Sequence, residues 1–282
     1  MLNVQNYSYH SHTNFSDGKN TAPEMVRRAK EIGFSEIGIT DHLIVHKNMR
    51  QSPSCAVNQY MMQEAHIYNV SFAEILESFQ RHCEMLRQLS KTENFPIRIG
   101  FEVDFFTYNG WLEELDDFLA RLDYDYVISG NHFVFDADCE TVYNLTDLPK
   151  LSDDCGWYKE MLQEHFKVMK QAVESRRFKF LAHLDYARRL GEDICGAMSY
   201  QAEKLAVLDA LAQTSTGMEI STKGLRRIND FFPAAWVLDA VAERNIAMVI
   251  SDDAHRTSEL GDAFDKAEQA LMQHKISNRL KF

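Results

Sequence analysis

Six short apolar runs in this chain finish in histidine or an acid. VQNYSYHSH closes on His10 and His12, SEIGITDH on Asp41 and His42, and IRIGFEVDFF carries Glu102 and Asp104. YDYVISGNHF ends at His132, FKFLAHLD at His183 and Asp185, and AMVISDDAH at Asp252, Asp253 and His255. Imidazole and carboxylate are the side chains that hold first-row divalent ions, and they also move protons. Apolar strands seldom end in buried charge unless that charge is paired or holds metal. One histidine at a strand end is ordinarily a hydrogen-bonded structural residue. Six ends in the same state point instead to a polynuclear metal site. Residues two apart on a strand face the same way, so His10 pairs with His12 and Asp253 with His255. The mixed donor set leaves zinc, manganese and iron all open.

A seventh run, GMEIST, has the strand pattern without such an ending. Helical patterns separate the runs. Thr21-Ala22-Pro23-Glu24 and Ser71-Phe72-Ala73-Glu74 have capping-box spacing. Apolar residues at helical spacing follow Ser71, and further helices are read in LEELDDFLARL, WYKEMLQEHFKVMKQAVES, SYQAEKLAVLDALAQT, PAAWVLDAVAERN and ELGDAFDKAEQALMQ. Strands alternating with helices imply parallel strands joined by right-handed crossovers. Seven such units predict a closed or nearly closed α/β barrel spanning residues 1–282 as a single domain. In such a barrel all six polar endings share one face, where active sites form. The longer connections 43–70 and 134–155 are read as substrate lids or subunit contacts.

The chain has 282 residues, 30 Lys plus Arg and 42 Asp plus Glu, for a net charge of −12. No basic stripe offsets this, so nucleic acid and anionic membrane are excluded as partners. Five cysteines without CxxC spacing read as free thiols in a reducing compartment. No signal-peptide pattern and no membrane-length apolar run is present, so a cytoplasmic location is expected. The other five histidines read as structural. His165 and His82 sit on apolar helical faces as satisfied core residues. His66 and His274 have no carboxylate partner in their helical stretches. His46 lies in a loop, either facing a substrate or simply exposed.

The ordered set HSHTNFSDG, ITDH, GFEVDFF, GNHF, AHLD and SDDAH resembles the PHP (polymerase and histidinol phosphatase) family from His10 to about Gly261. EISTKGLRR and AHLDYARR resemble its monofunctional histidinol-phosphate phosphatase branch. The resemblance implies a distorted (β/α)7 TIM-like barrel with two to three divalent metal ions. Position by position, it implies a first metal on His10, His12, Glu102 and Asp253. Glu102 would bridge to a second, on His132 and His183, and a third would take Asp17, His42 and His255. Asp17 stands where some relatives have His; an Asp-Gly turn is the alternative reading of FSDG. Asp253, Glu102 and His255 would carry the catalytic centre.

The activity implied is hydrolysis of L-histidinol phosphate by water activated between metals. Phosphate wants a bidentate donor, and Arg226 and Arg188 lie just past strand ends, with Arg189, Arg227 and Lys223 as weaker candidates. Asn131, beside His132, either donates to phosphate or caps its strand. Phe15, Phe105, Phe106 and Tyr108 can pack on an imidazole ring, and Asp104, Asp185 or a water can protonate the leaving group. The expected partner is a small phosphorylated substrate, with homo-oligomerisation left open. Alternatives are another small phosphomonoester, a nucleotide phosphodiester, which the acidic charge disfavours, and a scaffold, which nine intact ligand positions disfavour.

Overall fold

A computed structural model of the protein describes residues 4–136 and 139–282. Seven parallel strands form its frame, and they are those read from the sequence. They are β1 (Tyr7–Ser8), β2 (Glu36–Val45), β3 (Ile97–Val103), β4 (Tyr126–Ser129), β5 (Phe180–Leu181), β6 (Gly217–Ser221) and β7 (Met248–Ser251). Each pairs in parallel with the next in chain order. The seam between β7 and β1 is closed by other means. Ser11 bridges Ala254, with His12 N–H donating to the Ala254 carbonyl at 2.8 Å. Gln5 completes the seam with its side chain, donating to Ile250 O at 2.7 Å and accepting from Ile250 N–H at 3.1 Å. The result is a nearly closed, distorted seven-stranded α/β barrel.

Helices cover the outside. The helix Ala22–Glu31 opens on Thr21, whose N–H donates to the Glu24 carboxylate at 2.7 Å, closing the capping box. Ser71 caps Phe72–Glu93 by accepting from Ala73 N–H at 3.1 Å. The other helical stretches fold as Trp111–Leu119, Cys155–Glu174, Gln201–Thr214, Ala235–Glu243 and Phe264–Gln273. Their apolar faces and the outward faces of the strands form the main core.

A second, aromatic cluster of Tyr7, Tyr9, Tyr126 and Phe180 lies on the N-terminal side of the ligands within their strands. Tyr126 needs unusual room there. A Cβ on Gly38 would stand 2.1 Å from its hydroxyl, and one on Gly100 would stand 2.7 Å from its ring. Phe282 reaches the same cluster, 4.4 Å from the Tyr9 ring and 4.5 Å from Tyr126.

Both long connections carry structure of their own. β2 runs on to Val45 and pairs with the short strand Tyr68–Asn69. The run read as YDYVISGNHF is split, and its second half, Phe133–Asp136, makes an antiparallel hairpin with Thr141–Asn144. The two connections join each other. Asn48 donates to Glu140 O at 2.7 Å, Ser52 to Val142 O at 2.5 Å, and Asn58 to Asp147 at 2.7 Å. Together they make one wall beside the strand ends.

Candidate metal centre

The strand register starts the assembly of the site. His42 and Glu102 are paired across β2 and β3, and their side chains meet with Nδ1 and Oε2 3.1 Å apart. Glu102 is fully buried and central. Its Oε1 lies 2.9 Å from His183 Nε2, 3.3 Å from His10 Nε2 and 3.6 Å from His132 Nε2. Its Oε2 lies 3.4 Å from His12 Nε2. Gly130 gives this carboxylate its space, because a Cβ there would stand 2.5 Å from Oε1.

Asp253 faces Glu102 from the end of β7. Its Oδ1 is 3.3 Å from His12 Nε2 and 3.6 Å from His10 Nε2. Asp17 anchors the outer side, with Oδ1 3.5 Å from His42 Nε2 and Oδ2 3.0 Å from His255 Nε2. The nine side chains named as ligands therefore converge. Their donor atoms fall into groups close enough to share an ion: His12, Asp17, His42 and His255; His10, His12 and Glu102; His10, His183 and Asp253; His42, Glu102 and His132.

Asp253 and His255 do not meet by strand alternation, as the spacing predicted. Asp253 has φ +45°, in the left-handed region. The chain turns there, and His255 Nδ1 lies 3.0 Å from the Asp253 carbonyl. His10 and His12 do stand side by side, with ring centroids 5.3 Å apart.

The donor set fits divalent metal. His10 Nε2, both ring nitrogens of His12, His42 Nδ1, Glu102 Oε2 and Asp253 Oδ1 are buried without a well-formed hydrogen bond, and all face this one cluster. Buried polar atoms in a native protein ordinarily have partners. Burial alone would push these imidazoles down the pKa scale. Around His10 the charges of Asp253, Glu219 and Glu102 override it and hold the ring well above its ordinary value. The nearby carboxylates of Asp253, Glu102 and Asp17 lift His12 to about 9 against that burial. Burial likewise opposes ionisation of Glu102, and His10, His132 and His42 hold it well below the usual carboxylate range. Burial outweighs the carboxylates at His183 and His255 and lowers both rings, so the carboxylate field that favours a proton, and equally a cation, prevails around His10 and His12.

The outer faces of the ligands are held by residues that the sequence reading missed or assigned otherwise. His10 Nδ1 lies 2.9 Å from Glu219, in the middle of β6. Glu219 also accepts from His183 N–H at 2.9 Å and Ser251 Oγ at 2.7 Å. Its signal was a lone acid inside an apolar strand. Asp104 bonds His132 Nδ1 at 3.0 Å and accepts from two backbone N–H groups, so it orients the His132 ring and does not line the cavity beside the cluster. Asp41 accepts from Thr13 N–H at 2.7 Å and Ser16 Oγ at 2.6 Å, fixing the loop that carries Asp17. Asp185 is fully buried, accepts from Ala234 N–H at 2.9 Å and does not line that cavity either.

Beside the cluster opens a cavity of about 680 Å³, with Asp17, His42, His132 and His255 on its surface. Arg226 lines it and is held by donating to Asp252 O at 2.6 Å. Lys223 lines it too, with Nζ 2.7 Å from Asp253.

Several expectations need correction. Arg188 is buried and committed elsewhere, donating to Asp230 at 2.6 Å and Phe231 O at 3.0 Å; Arg189 lines the cavity in its stead. The turn Tyr186–Leu190 is a 3-10 helix, which puts neighbouring side chains on different sides. Asn131 is buried, has φ +53° and donates to Ser129 Oγ at 2.7 Å, so it finishes β4 and does not reach the cavity. Phe15, Phe105, Phe106 and Tyr108 pack elsewhere, and the cavity's aromatic residues are Tyr60, Tyr68, Phe133 and Tyr186.

The other histidines also differ in part. His46 is fully buried among Phe106, Tyr108 and Phe135. His165 is buried with both ring nitrogens unpartnered, so it is a core histidine but not a satisfied one. His82 has Nε2 3.0 Å from Asp41 without a well-formed hydrogen bond, and its ring stacks on Phe15. His274 has the carboxylate partner it was not expected to have, Asp239 at 2.6 Å, and His66 lies 3.9 Å from Glu64.

Fold and site together define an α/β barrel with a buried His–carboxylate centre at the C-terminal ends of its strands. The chain belongs to the PHP domain family, whose model matches residues 8–223. A Deinococcus radiodurans protein named as a candidate histidinol-phosphatase is 27% identical over 181 residues, 62% of this chain. The chain spans 64% of the length of that relative. Among solved structures, a candidate histidinol phosphatase of Listeria monocytogenes superposes with a TM-score of 0.70 at 16% identity, over 92% of this chain and 99% of that one. Histidinol phosphate phosphatase of Lactococcus lactis, complexed with zinc, L-histidinol and phosphate, gives 0.65 at 18% identity, over 99% and 97%. At these identities the likeness is one of fold. Among the described residues no helix is long and apolar enough to cross a membrane.

Proposed function

We propose that this chain is a metal-dependent phosphomonoesterase that hydrolyses L-histidinol phosphate to L-histidinol and phosphate. The observation that carries the reading is Glu102, whose buried carboxylate is shared by His10, His12, His42, His132 and His183 within 3.6 Å. The names of its relatives supply the substrate, and the Lactococcus lactis complex is of a protein with the same fold.

His10, His12, Glu102 and Asp253 would hold one divalent ion, Glu102, His132 and His183 a second, and Asp17, His42 and His255 a third. Zinc, manganese or iron would supply Lewis acidity and a nucleophilic water near neutral pH. The chain's own residues do the rest. Glu219 and Asp104 fix the tautomers of His10 and His132 so that each Nε2 presents a lone pair inward. Lys223 and Arg226, held at the cavity floor by Asp253 and the Asp252 carbonyl, offer donors to the phosphate oxygens. Tyr68, Phe133 and Tyr186 offer ring faces to an imidazole. The two long connections wall the cavity and restrict water. Five free cysteines support the cytoplasm as the compartment.

A phosphate-release screen tests the substrate. Histidinol phosphate is compared with other monoesters and with a nucleotide diester. Preference for histidinol phosphate is expected, and preference for the diester would overturn the assignment.

A further inference from the structure

The charge of the cavity is opposite to that of the chain. The protein as a whole has 42 acids against 30 Lys plus Arg. The cavity wall carries seven Lys and Arg side chains against two carboxylates, Asp17 and Glu259. A single phosphate at the ligand cluster does not need so many cations, and a cationic leaving group such as histidinol gains nothing from them.

The cations fall into two sets. Lys223 and Arg226 are fixed at the floor, as described. Lys19 and Lys150 are tied to acids of the long connections, Glu64 at 2.9 Å and Asp147 at 2.8 Å. Arg189 lies over the Tyr186 ring, 4.8 Å from its centroid. Arg227 and Arg256 differ from all of these. Both line the cavity, and their side chains make no hydrogen bond or ion pair among the described residues. Both are exposed at the rim, next in sequence to site residues: Arg227 follows Arg226 and Arg256 follows His255. The volume of about 680 Å³ leaves space beyond a phosphate for the rest of a substrate.

The geometry points to a second anion subsite, formed by Arg227 and Arg256, that accepts a carboxylate or second phosphate on the leaving group of a phosphomonoester. The inference rests on the ester hydrolysis proposed above and extends its substrate class. Free guanidinium groups bind either anion bidentately, and the two sources share that chemistry. Low-dielectric walls and nearby metal charge strengthen the attraction, and salt weakens it.

Two non-hydrolysable ligands of equal carbon-chain length isolate the effect. 3-Phosphonopropionate carries a carboxylate where propylphosphonate carries a methyl group. Calorimetry on the manganese-loaded chain at low salt should show the carboxylate ligand binding about tenfold or more tightly. The ratio should fall below about threefold in R227A/R256A and be retained in R227K/R256K. Because each ratio is taken within one variant, partial misfolding does not imitate the loss. Turnover then separates the sources: 3-phosphoglycerate reports a carboxylate and fructose 1,6-bisphosphate a second phosphate, each against glycerol 2-phosphate. Equal affinity for the two phosphonates, or a preference that survives in R227A/R256A, overturns the subsite. Histidinol phosphate hydrolysis without any phosphonate preference removes this inference alone. A phosphonate preference without hydrolysis of histidinol phosphate removes the proposed substrate and leaves the subsite standing.

Discussion

His10 Nδ1 and Glu219 Oε2 lie 2.9 Å apart, both residues fully buried. A carboxylate only accepts, so a proton sits on Nδ1, and Nε2, which faces Glu102 and Asp253, is the atom that would take a metal ion in place of a proton. Glu219 comes from β6, the one barrel strand whose end carries none of the nine proposed ligands. It lies in the middle of that strand and sets a ligand from behind.

E219Q keeps the volume and removes the charge. Metal affinity is expected to fall about 10–100-fold, as for other residues that orient metal-bound histidines. Competition with a chromophoric chelator measures it. Affinity within a factor of two of the unmodified chain would remove Glu219 from this role.

Arg188 and Arg226 should separate cleanly. R188A deprives Asp230 and the Phe231 carbonyl of their donor and is expected to cost about 1.5–3 kcal/mol of stability, with KM changed by less than about threefold. R226A is expected to lower kcat/KM for a phosphomonoester about tenfold or more. Urea melts and steady-state kinetics on both variants check the pair. A larger KM effect for R188A than for R226A would reverse the assignment.

These two arginines show where sequence reasoning reaches its limit. Strand ends were legible because each motif put His or an acid after an apolar run, and the barrel places all such ends on one face. The order of helices was legible from caps such as Thr21 with Glu24. What lies beyond a strand end depends on local turns. The 3-10 turn at Tyr186–Leu190 sends Arg188 inward and lets Arg189 line the cavity, a choice one residue wide. Asp253 reaches its place through a left-handed backbone, which no alternation rule foresees. Glu219 lies in the middle of its strand, where an acid has no pattern of strand endings to mark it.

His46 gives a pH signature separate from the site. Burial among Phe106, Tyr108 and Phe135, and then the nearby charge of Lys47, push it down to about 4 from 6.5. The folded form holds this ring neutral, while the unfolded chain protonates it below about 6.5. Its contribution is therefore complete above about pH 6.5 and is lost as pH falls towards 4. The slope is at most about 1.4 kcal/mol per pH unit. H46F should flatten the fall in stability between pH 7 and pH 5 in denaturant titrations. An unchanged acid limb would show that His46 is not buried as a neutral ring.

The central claim is that the converged His and carboxylate side chains hold the ions that make this barrel a phosphatase. Phosphate release from L-histidinol phosphate, followed through chelation and then readdition of manganese, zinc or iron, tests it most directly. Release should vanish on chelation and return with metal. Release that persists in the fully chelated chain, or none from the reloaded one, would contradict the account.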